Sequence, residues 1–229
     1  MKNLFLQYGI PLGECEISKL NAFGDNLRAV NEVMNLTTVT EEREMWIKHF
    51  LDSILGAELF PSCAKCLEVG SGGGFPSLPL KIFRDDLSFT LVESTGKKCE
   101  YLKDACKKLE LKGVEVVSAR AEELSRDGKY RESYDAVTAR AVARLNTLCE
   151  YCLPFVKVGG IFIAYKGDAK EELKEASNAI KILGGKIKAV KEYELPDGSG
   201  SRNIIVIEKV SSTPSKYPRG NGKERKKPL

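Results

Sequence analysis

A long apolar run is missing from this sequence. No stretch of its 229 residues approaches the roughly 18 apolar residues that a membrane-spanning helix requires. The opening Met1 to Tyr8 segment also breaks too soon for the apolar core of a secretory signal. We therefore expect cytoplasmic localisation and no membrane partner. A composition of 42% hydrophobic and 30% charged residues is that of a globular protein with a sizeable core.

Histidine is scarce, and the cysteines do not have the spacing of a metal site. His49 is the only histidine, and the two C-x-x-C pairs, Cys63/Cys66 and Cys149/Cys152, lie too far apart for a zinc ribbon. Seven cysteines is an odd number, which favours reduced thiols over disulfides. We expect no metal site, and we interpret the paired cysteines as small buried hydrophobic side chains. A lone histidine on a helix is more often a packing residue or a cap than a catalyst.

Two familiar phosphate-binding motifs are absent. No G-x-x-x-x-G-K-[ST] run exists, and the dinucleotide spacing G-x-G-x-x-G fails because Phe75 and Ser77 occupy the third glycine position in the two possible frames. The sequence instead has an acid, Glu68, followed by Gly70, Gly72 and Gly74 at alternate positions. A glycine turn at the carboxyl end of a parallel strand is where open α/β sheets bind nucleotides. An ordinary glycine-rich loop is the alternative.

An acid at the end of the next predicted strand supports the nucleoside interpretation. Residues 88–92 are rich in β-branched and aromatic side chains, and Glu93 follows 19 positions after Gly74. A carboxylate at this distance suits hydrogen bonding to ribose hydroxyls, although a solvated strand-end acid is the alternative. A third predicted strand at 114–117 is followed by Arg120 to Glu123, and we expect this strand end to supply a backbone or side-chain contact to an adenine edge.

Strand and helix patterns alternate from residue 66 onward, which predicts a parallel α/β sheet. The two last strands are separated by the turn-rich residues 196–200, which indicates an antiparallel hairpin. The predicted strands are 66–70, 88–92, 114–117, 134–138, 160–164, 186–195 and 203–209. The predicted helices between them are 97–109, 145–155 and 169–183.

We divide the chain into an N-terminal helical subdomain (1–60), a sheet domain (61–210) and a basic flexible tail (211–229). In the first region, Thr40 is the predicted N-cap of a helix. Residues 210–229 hold six basic side chains and one acid, a net +5, which leaves −1 on the rest of the chain. Because prolines and glycines recur in this segment, we expect no helix or strand there. Its charge suits a polyanion, and a solubilising tail is the alternative.

These residues together resemble the S-adenosylmethionine-dependent methyltransferases, and most closely the RsmG (GidB) family, which methylates a guanine N7 in 16S ribosomal RNA. The resemblance covers nearly the whole chain. It departs from the family at Ser77, usually glycine, and at Glu68 and Glu93, often aspartate. The matching segments are Asn35-Leu36-Thr37, His49 to Ser53, Glu68 to Pro79, Arg120 to Glu123, Arg140 to Ala143, Lys166-Gly167, Tyr217-Pro218-Arg219 and Lys227-Pro228-Leu229.

The resemblance implies a Rossmann-like methyltransferase fold of seven mostly parallel strands with an antiparallel last strand. It implies S-adenosyl-L-methionine as cofactor, 16S ribosomal RNA or the small ribosomal subunit as partner, and we expect a monomer. It also favours a role for His49 in shaping the pocket. The implied cofactor-binding residues are Gly70, Gly72, Gly74, Phe75, Glu93 at the ribose, Ala121 and Glu122 at the adenine, and Arg140.

The residues after the fourth strand bear on the methyl acceptor. Thr138 to Ala141 lack the proline-containing run typical of exocyclic-amine methyltransferases, and no Pro-Cys pair exists for attack on carbon. Acceptors with a free lone pair, such as guanine N7, remain, and they require no general base. Arg140 is our catalytic candidate, as a donor to guanine O6 or as a cofactor ligand; a surface salt bridge is the alternative. Lys166, Arg202 and Arg219 are candidate RNA contacts.

Two other functions stay open at this point. A small-molecule methyltransferase would require an apolar cover over the pocket, and the basic tail speaks against it. A non-catalytic RNA-binding or assembly protein would retain the fold, but the intact glycine turn and Glu93 argue for an enzyme.

Overall fold

The computed structural model describes all residues from 1 to 229 and contains one seven-stranded sheet. The strands are β1 (Lys65–Val69), β2 (Ser88–Glu93), β3 (Val114–Ser118), β4 (Tyr134–Arg140), β5 (Val156–Lys166), β6 (Gly185–Leu195) and β7 (Gly200–Lys209).

The order across the sheet is β3-β2-β1-β4-β5-β7-β6. Strand β7 is antiparallel to both of its neighbours, and the pairings among β1 to β5 are parallel. The predicted fold class, including the antiparallel last strand, is confirmed. The strand order reverses between β1 and β4, so the carboxyl ends of these two strands flank a crevice of the kind that binds ligands in open α/β sheets.

Helices cover both faces of the sheet. The α-helices are α1 (Lys2–Gln7), α2 (Glu14–Met34), α3 (Glu42–Met45), α4 (Asp52–Ile54), α5 (Ser77–Phe83), α6 (Gly96–Lys108), α7 (Ala121–Leu124), α8 (Leu145–Cys152), α9 (Lys170–Ile182) and α10 (Lys223–Lys226). A π-helical turn (Trp46–Leu51) joins α3 to α4, and short 3-10 turns follow α4 (Ala57–Leu59) and α8 (Leu153–Phe155). None of the helices combines the length and the apolar character needed to cross a bilayer.

The N-terminal helices share a core with one face of the sheet. Phe23 and Phe50 stack on each other with ring centroids 5.9 Å apart, and both belong to a cluster that includes Phe89 and Ile163 of the sheet. Burying such side chains contributes about 2 kcal/mol each, so this face fixes the N-terminal segment on the sheet. The cap of α3 differs from the prediction: Glu41, not Thr40, accepts from the Glu44 N–H at 2.7 Å.

The other face of the sheet carries α7, α8 and α9. Two expectations about the chain are wrong. The tail is not free of helix, because α10 forms within it and Tyr217 is buried in the core of this face. Cys149 and Cys152 are buried as predicted, whereas Cys63 of the other C-x-x-C pair is exposed. Cys63 lies in a surface turn before β1, so its predicted burial is wrong.

Candidate functional site

The glycine turn leaves the carboxyl end of β1. Gly70 has φ +70°, and its N–H donates to the Val92 carbonyl oxygen at 2.8 Å. A Cβ on Gly70 would lie 2.7 Å from Val142 Cγ2, closer than real side chains approach. Both the left-handed backbone and the close neighbour therefore require glycine here.

The Gly72 backbone is hydrogen-bonded to Glu93, the acid that we predicted to act together with the glycine turn. Its N–H donates to Glu93 Oε2 at 3.0 Å, and the other carboxylate oxygen accepts from the Thr95 N–H at 2.8 Å. Glu93 is only 7% exposed. The carboxylate thus stands at the junction of the β1 and β2 turns, where it aligns the glycine turn. Its ribose contact stays a prediction.

Gly74 and Phe75 face inward. A Cβ on Gly74 would lie 2.6 Å from Leu78 Cδ1, so this glycine lets α5 pack closely. The Phe75 ring stacks on the His49 ring at 4.3 Å between centroids, and the Arg140 guanidinium lies 4.9 Å from the centre of the Phe75 ring. Their predicted cofactor contacts stay a prediction, since each residue has a packing role in this structure.

Glu68 is completely buried beneath the turn. Its Oε2 accepts from the Ser77 N–H at 3.3 Å, and Oε1 has no hydrogen-bond partner. Burial raises the pKa of Glu68 to about 8, with a smaller contribution from Glu93, while Ser77 and Arg140 oppose the shift. The side chain is therefore mainly protonated at neutral pH, which avoids a second negative charge below Glu93.

A cavity of about 520 Å³ opens beside the turn, at the carboxyl ends of β1 to β4. Of the predicted cofactor residues it gathers Gly70, Ala121 and Glu122. We call it the first cavity; its lining is Val69, Gly70, Val92, Ser94, Ala119, Arg120, Ala121, Glu122, Glu123, Val142, Tyr151, Asn221, Gly222 and Arg225.

A second cavity of about 350 Å³ lies between the carboxyl ends of β4 and β5 and the N-terminal helices. It gathers Arg140, Lys166 and Arg202, three of the predicted residues. Its lining is Val39, Lys48, His49, Asp52, Arg140, Ala141, Tyr165, Lys166, Gly167, Glu172 and Arg202. Ala141 lines this cavity while the next residue, Val142, lines the first, so the loop after β4 separates the two. Ala141 has φ +58°, a conformation that is uncommon for alanine and typical of functional loops.

Arg140 joins the sheet to the N-terminal helices. Its Nη1 donates to Asp52 Oδ2 at 2.9 Å and to the Lys48 carbonyl oxygen at 3.1 Å. The two side chains are 14% and 5% exposed. Asp52 also accepts from the Tyr193 hydroxyl at 2.9 Å. The salt bridge that the sequence left as an alternative for Arg140 is therefore present, but it is largely buried and faces the second cavity.

His49 is a neutral ring in this cluster. Arg140 Nη2 lies 3.2 Å from His49 Nδ1, and His49 Nε2 lies 2.7 Å from Thr37 Oγ1. Nδ1 also lies 3.1 Å from the Lys48 carbonyl oxygen, so it faces one donor, the Arg140 guanidinium, and one acceptor, and the tautomer follows from which of the two it engages. Burial, together with the nearby Arg140 charge, lowers the pKa of His49 to about 3. The π-helical turn that holds His49 is a type of irregularity often found at functional sites.

The candidate RNA contacts differ in how far their charges are already paired. Lys166 Nζ lies 2.7 Å from Glu172 Oε2 and donates to the Ala143 carbonyl oxygen. Arg202 Nε lies 3.7 Å from Asp52 Oδ1, and its side chain is partly exposed. Arg219 lines neither cavity, because its guanidinium is bound to the buried carboxylate of Glu150 at 2.7 Å. Its RNA contact stays a prediction, although a neutralised charge argues against it.

The structure adds residues that the sequence patterns did not single out. Asp52 and Lys48 enter the second cavity from the N-terminal helices. Tyr151, Asn221 and Arg225 enter the first cavity from α8 and the C-terminus. The signal available for the C-terminal residues was their position beside the segment Tyr217-Pro218-Arg219, which belongs to the resemblance.

Comparisons with known proteins agree on one family. The model of the family described as rRNA small subunit methyltransferase G (GidB) matches residues 16–205. A ribosomal RNA small subunit methyltransferase G of Lactobacillus delbrueckii subsp. bulgaricus is 44% identical, over 97% of this chain and 95% of that relative. One of the same name from Brevibacillus brevis is 46% identical, over 96% of this chain and 94% of that relative.

A solved structure supports the fold alone. The crystal structure of M. jannaschii TYW2 in complex with AdoMet superposes with a TM-score of 0.54 at 15% identity. It covers 68% of this chain and 72% of the other.

Proposed function

The chain belongs to the rRNA small subunit methyltransferase G family, and from this premise we propose that it transfers the methyl group of S-adenosylmethionine to N7 of a guanine in 16S ribosomal RNA. The observation that carries the proposal is the pair of cavities on either side of Ala141 and Val142. One suits a nucleoside cofactor, and the other is lined by cations.

The residues of the first cavity fit adenosylmethionine. Gly70 lines this cavity and carries no side chain, so a ligand can approach its main chain closely. Glu93 is not part of the cavity lining but lies between two residues that are, Val92 and Ser94, and we propose that this carboxylate, aligned by the Gly72 N–H, binds the ribose hydroxyls. Ala121 and Glu122 are proposed to contact the adenine. When bound, adenosylmethionine supplies a sulfonium-activated methyl group.

The second cavity suits an RNA guanine. Lys48, Arg140, Lys166 and Arg202 surround it, and cations of this kind bind phosphates and purine edges. Its two carboxylates are both paired, Asp52 with Arg140 and Glu172 with Lys166. The lowered pKa of His49 makes its ring a weak base. A site without a strong base suits an acceptor that has an available lone pair and loses no proton. Guanine N7 is such an acceptor.

In the proposed reaction the protein contributes position and charge. The N7 lone pair forms the new bond to carbon as the sulfur–carbon bond breaks, and no proton is transferred. Holding the two atoms in line at about 3–3.5 Å accounts for much of the acceleration. Because the purine becomes cationic, a neutral His49 is favourable beside it, and Asp52 offsets the charge of Arg140. We propose that Arg140 orients the guanine through O6.

The test uses tritiated adenosylmethionine with small ribosomal subunits, naked 16S RNA, and no RNA. We expect label in RNA. Transcripts made with 7-deazaguanosine, which lacks N7 but keeps the other acceptor atoms, should accept none. Label in the deaza transcript would refute N7 as the acceptor. Label only in small molecules, or none under any condition, would indicate respectively a small-molecule methyltransferase or a non-catalytic binding protein.

A further inference from the structure

The last residues of the chain fold back over the first cavity. We call residues 217–229 the C-terminal arm. Its members Asn221, Gly222 and Arg225 line the cavity opposite Ala121 and Glu122. The sequence assigned this segment to RNA as a free basic tail, but the structure places part of it at the cofactor site.

Buried polar contacts hold the arm in this position. Glu150, on α8, is fully buried and accepts from both the backbone N–H and the guanidinium of Arg219, at 2.8 and 2.7 Å. Thr147 Oγ1 donates to the Glu224 carbonyl oxygen at 2.9 Å, and Glu224 itself is fully buried. Arg131 Nη1 donates to the Tyr217 carbonyl oxygen at 3.0 Å. A segment with this many buried partners belongs to the folded body.

The arm divides its cations between two directions. Arg225 lines the first cavity, and its Nη2 is 3.4 Å from the Val142 carbonyl oxygen. Val142 is the residue that packs on Gly70 of the glycine turn. Lys226 and Lys227, which are exposed as Arg225 is, line no part of the cavity. A single guanidinium of the arm therefore stands at the cleft.

We propose that the C-terminal arm is a wall of the cofactor cleft and that Arg225 contacts the adenosine half of bound adenosylmethionine. The adenosine half is assigned because Arg225 shares the cavity with Ala121, Glu122 and Tyr151. A planar guanidinium suits stacking on, or hydrogen bonding to, a purine. This inference rests on the proposed function, since its ligand is the methyl donor of that reaction.

Calorimetry with full-length protein and no RNA tests the contact. The ligands are adenosylmethionine and 5′-methylthioadenosine, which lacks the amino-acid half. We expect Arg225→Ala to weaken both by about tenfold. The matched control, Lys226→Ala with Lys227→Ala, removes two neighbouring charges and should change either affinity by less than about twofold.

Three results would overturn the inference. These are unchanged affinity in Arg225→Ala, an equal loss in the lysine control, or a loss confined to adenosylmethionine, which would place the contact at the amino-acid half. Hydrogen exchange of the wild-type protein gives a readout that needs no variant, because methylthioadenosine should slow exchange in residues 219–226. Unchanged exchange there would also refute the inference that the C-terminal arm forms a wall of the cleft. Failure of the wild-type protein to bind adenosylmethionine would refute the proposed function instead.

Discussion

Arg140 and Asp52, 88 positions apart in the chain, form an ion pair of 2.9 Å at the point where the sheet meets the N-terminal helices. The pair fixes the orientation of the guanidinium that faces the second cavity. It also couples that cavity to Tyr193 of β6, which donates to the same carboxylate. The catalytic candidate is therefore positioned by residues from three separate parts of the chain.

The first prediction concerns this pair. Asp52→Asn leaves the largely buried Arg140 charge without its partner, which should cost about 3 kcal/mol. For a domain of this size we expect a fall in melting temperature of about 6–12 °C, with a large loss of methyl transfer. The exposed pair Arg43–Asp197, 2.7 Å apart, is the control: Asp197→Asn should cost less than about 1 kcal/mol. Equal effects of the two variants would contradict a special role for Asp52.

The second prediction concerns the glycine turn. A Cβ at Gly72 would meet only the Gly70 carbonyl oxygen, at 3.8 Å, so Gly72→Ala fits, with about 1 kcal/mol of backbone strain at φ +50°. Gly72→Asp instead places a carboxylate beside Glu93, and we expect it to abolish adenosylmethionine binding. Calorimetry of the two variants separates the effect of an added negative charge on cofactor affinity from the effect of an added Cβ atom. An aspartate variant that binds as tightly as the alanine variant would show that the turn is not the cofactor site.

The third prediction concerns Glu68, whose pKa is raised from 4.5 to about 8 in the folded protein. Between these values the folded state keeps a proton that the unfolded state releases. Stability from this group is therefore complete below pH 4.5 and is lost as pH rises to 8, by at most about 1.4 kcal/mol per unit. Glu68→Gln cannot titrate, so we expect its stability relative to wild type to increase with pH across this window.

Urea denaturation at several pH values between 5 and 8 measures that difference. Glu192→Gln, at an exposed position, is the control and should follow the wild-type pH dependence. A Glu68→Gln curve parallel to wild type would mean that the buried carboxyl group titrates normally.

The fourth prediction concerns His49, whose pKa is lowered to about 3. Because it is the only histidine, its imidazole resonance can be followed by NMR without assignment. We expect no titration between pH 8 and 5; a midpoint near 6.5 would contradict the neutral ring. The depressed pKa means that the stability from this group is present above about pH 6.5 and is lost as pH falls towards 3. His49→Phe should remove that loss.

The fifth prediction concerns RNA. Lys166→Ala and Arg202→Ala should each weaken RNA binding and lower the slope of log affinity against log salt by about 0.7–0.9 for each phosphate that is no longer neutralised. Lys107→Ala is the control, since this exposed lysine is at the end of α6, at the opposite edge of the sheet. Filter binding over a salt series measures the slopes. Unchanged slopes in the two cavity variants would show that Lys166 and Arg202 do not neutralise RNA phosphates.

Local sequence patterns were sufficient to predict the strands of the sheet and, within the site, the glycine turn and Glu93. Each strand was visible in its own residues, and the order of elements implied the parallel crossovers. Glu93 could be paired with the glycine turn because both end neighbouring strands, and the Gly72–Glu93 hydrogen bond is a direct result of that arrangement. The turn, the acid and the succession of strands and helices along the chain are properties of short segments, which is why the amino-acid sequence alone determines them.

Contacts between distant segments were decided by the tertiary structure. The basic composition of residues 210–229 predicted a free tail, because composition does not record that Glu150, 69 positions before Arg219, is buried opposite it. In the same way, nothing local to Arg140 indicates Asp52 or the Lys48 carbonyl oxygen as its partners. A charge is neutralised by whichever group the folded chain brings to it, and that proximity arises only when the helices pack on the sheet.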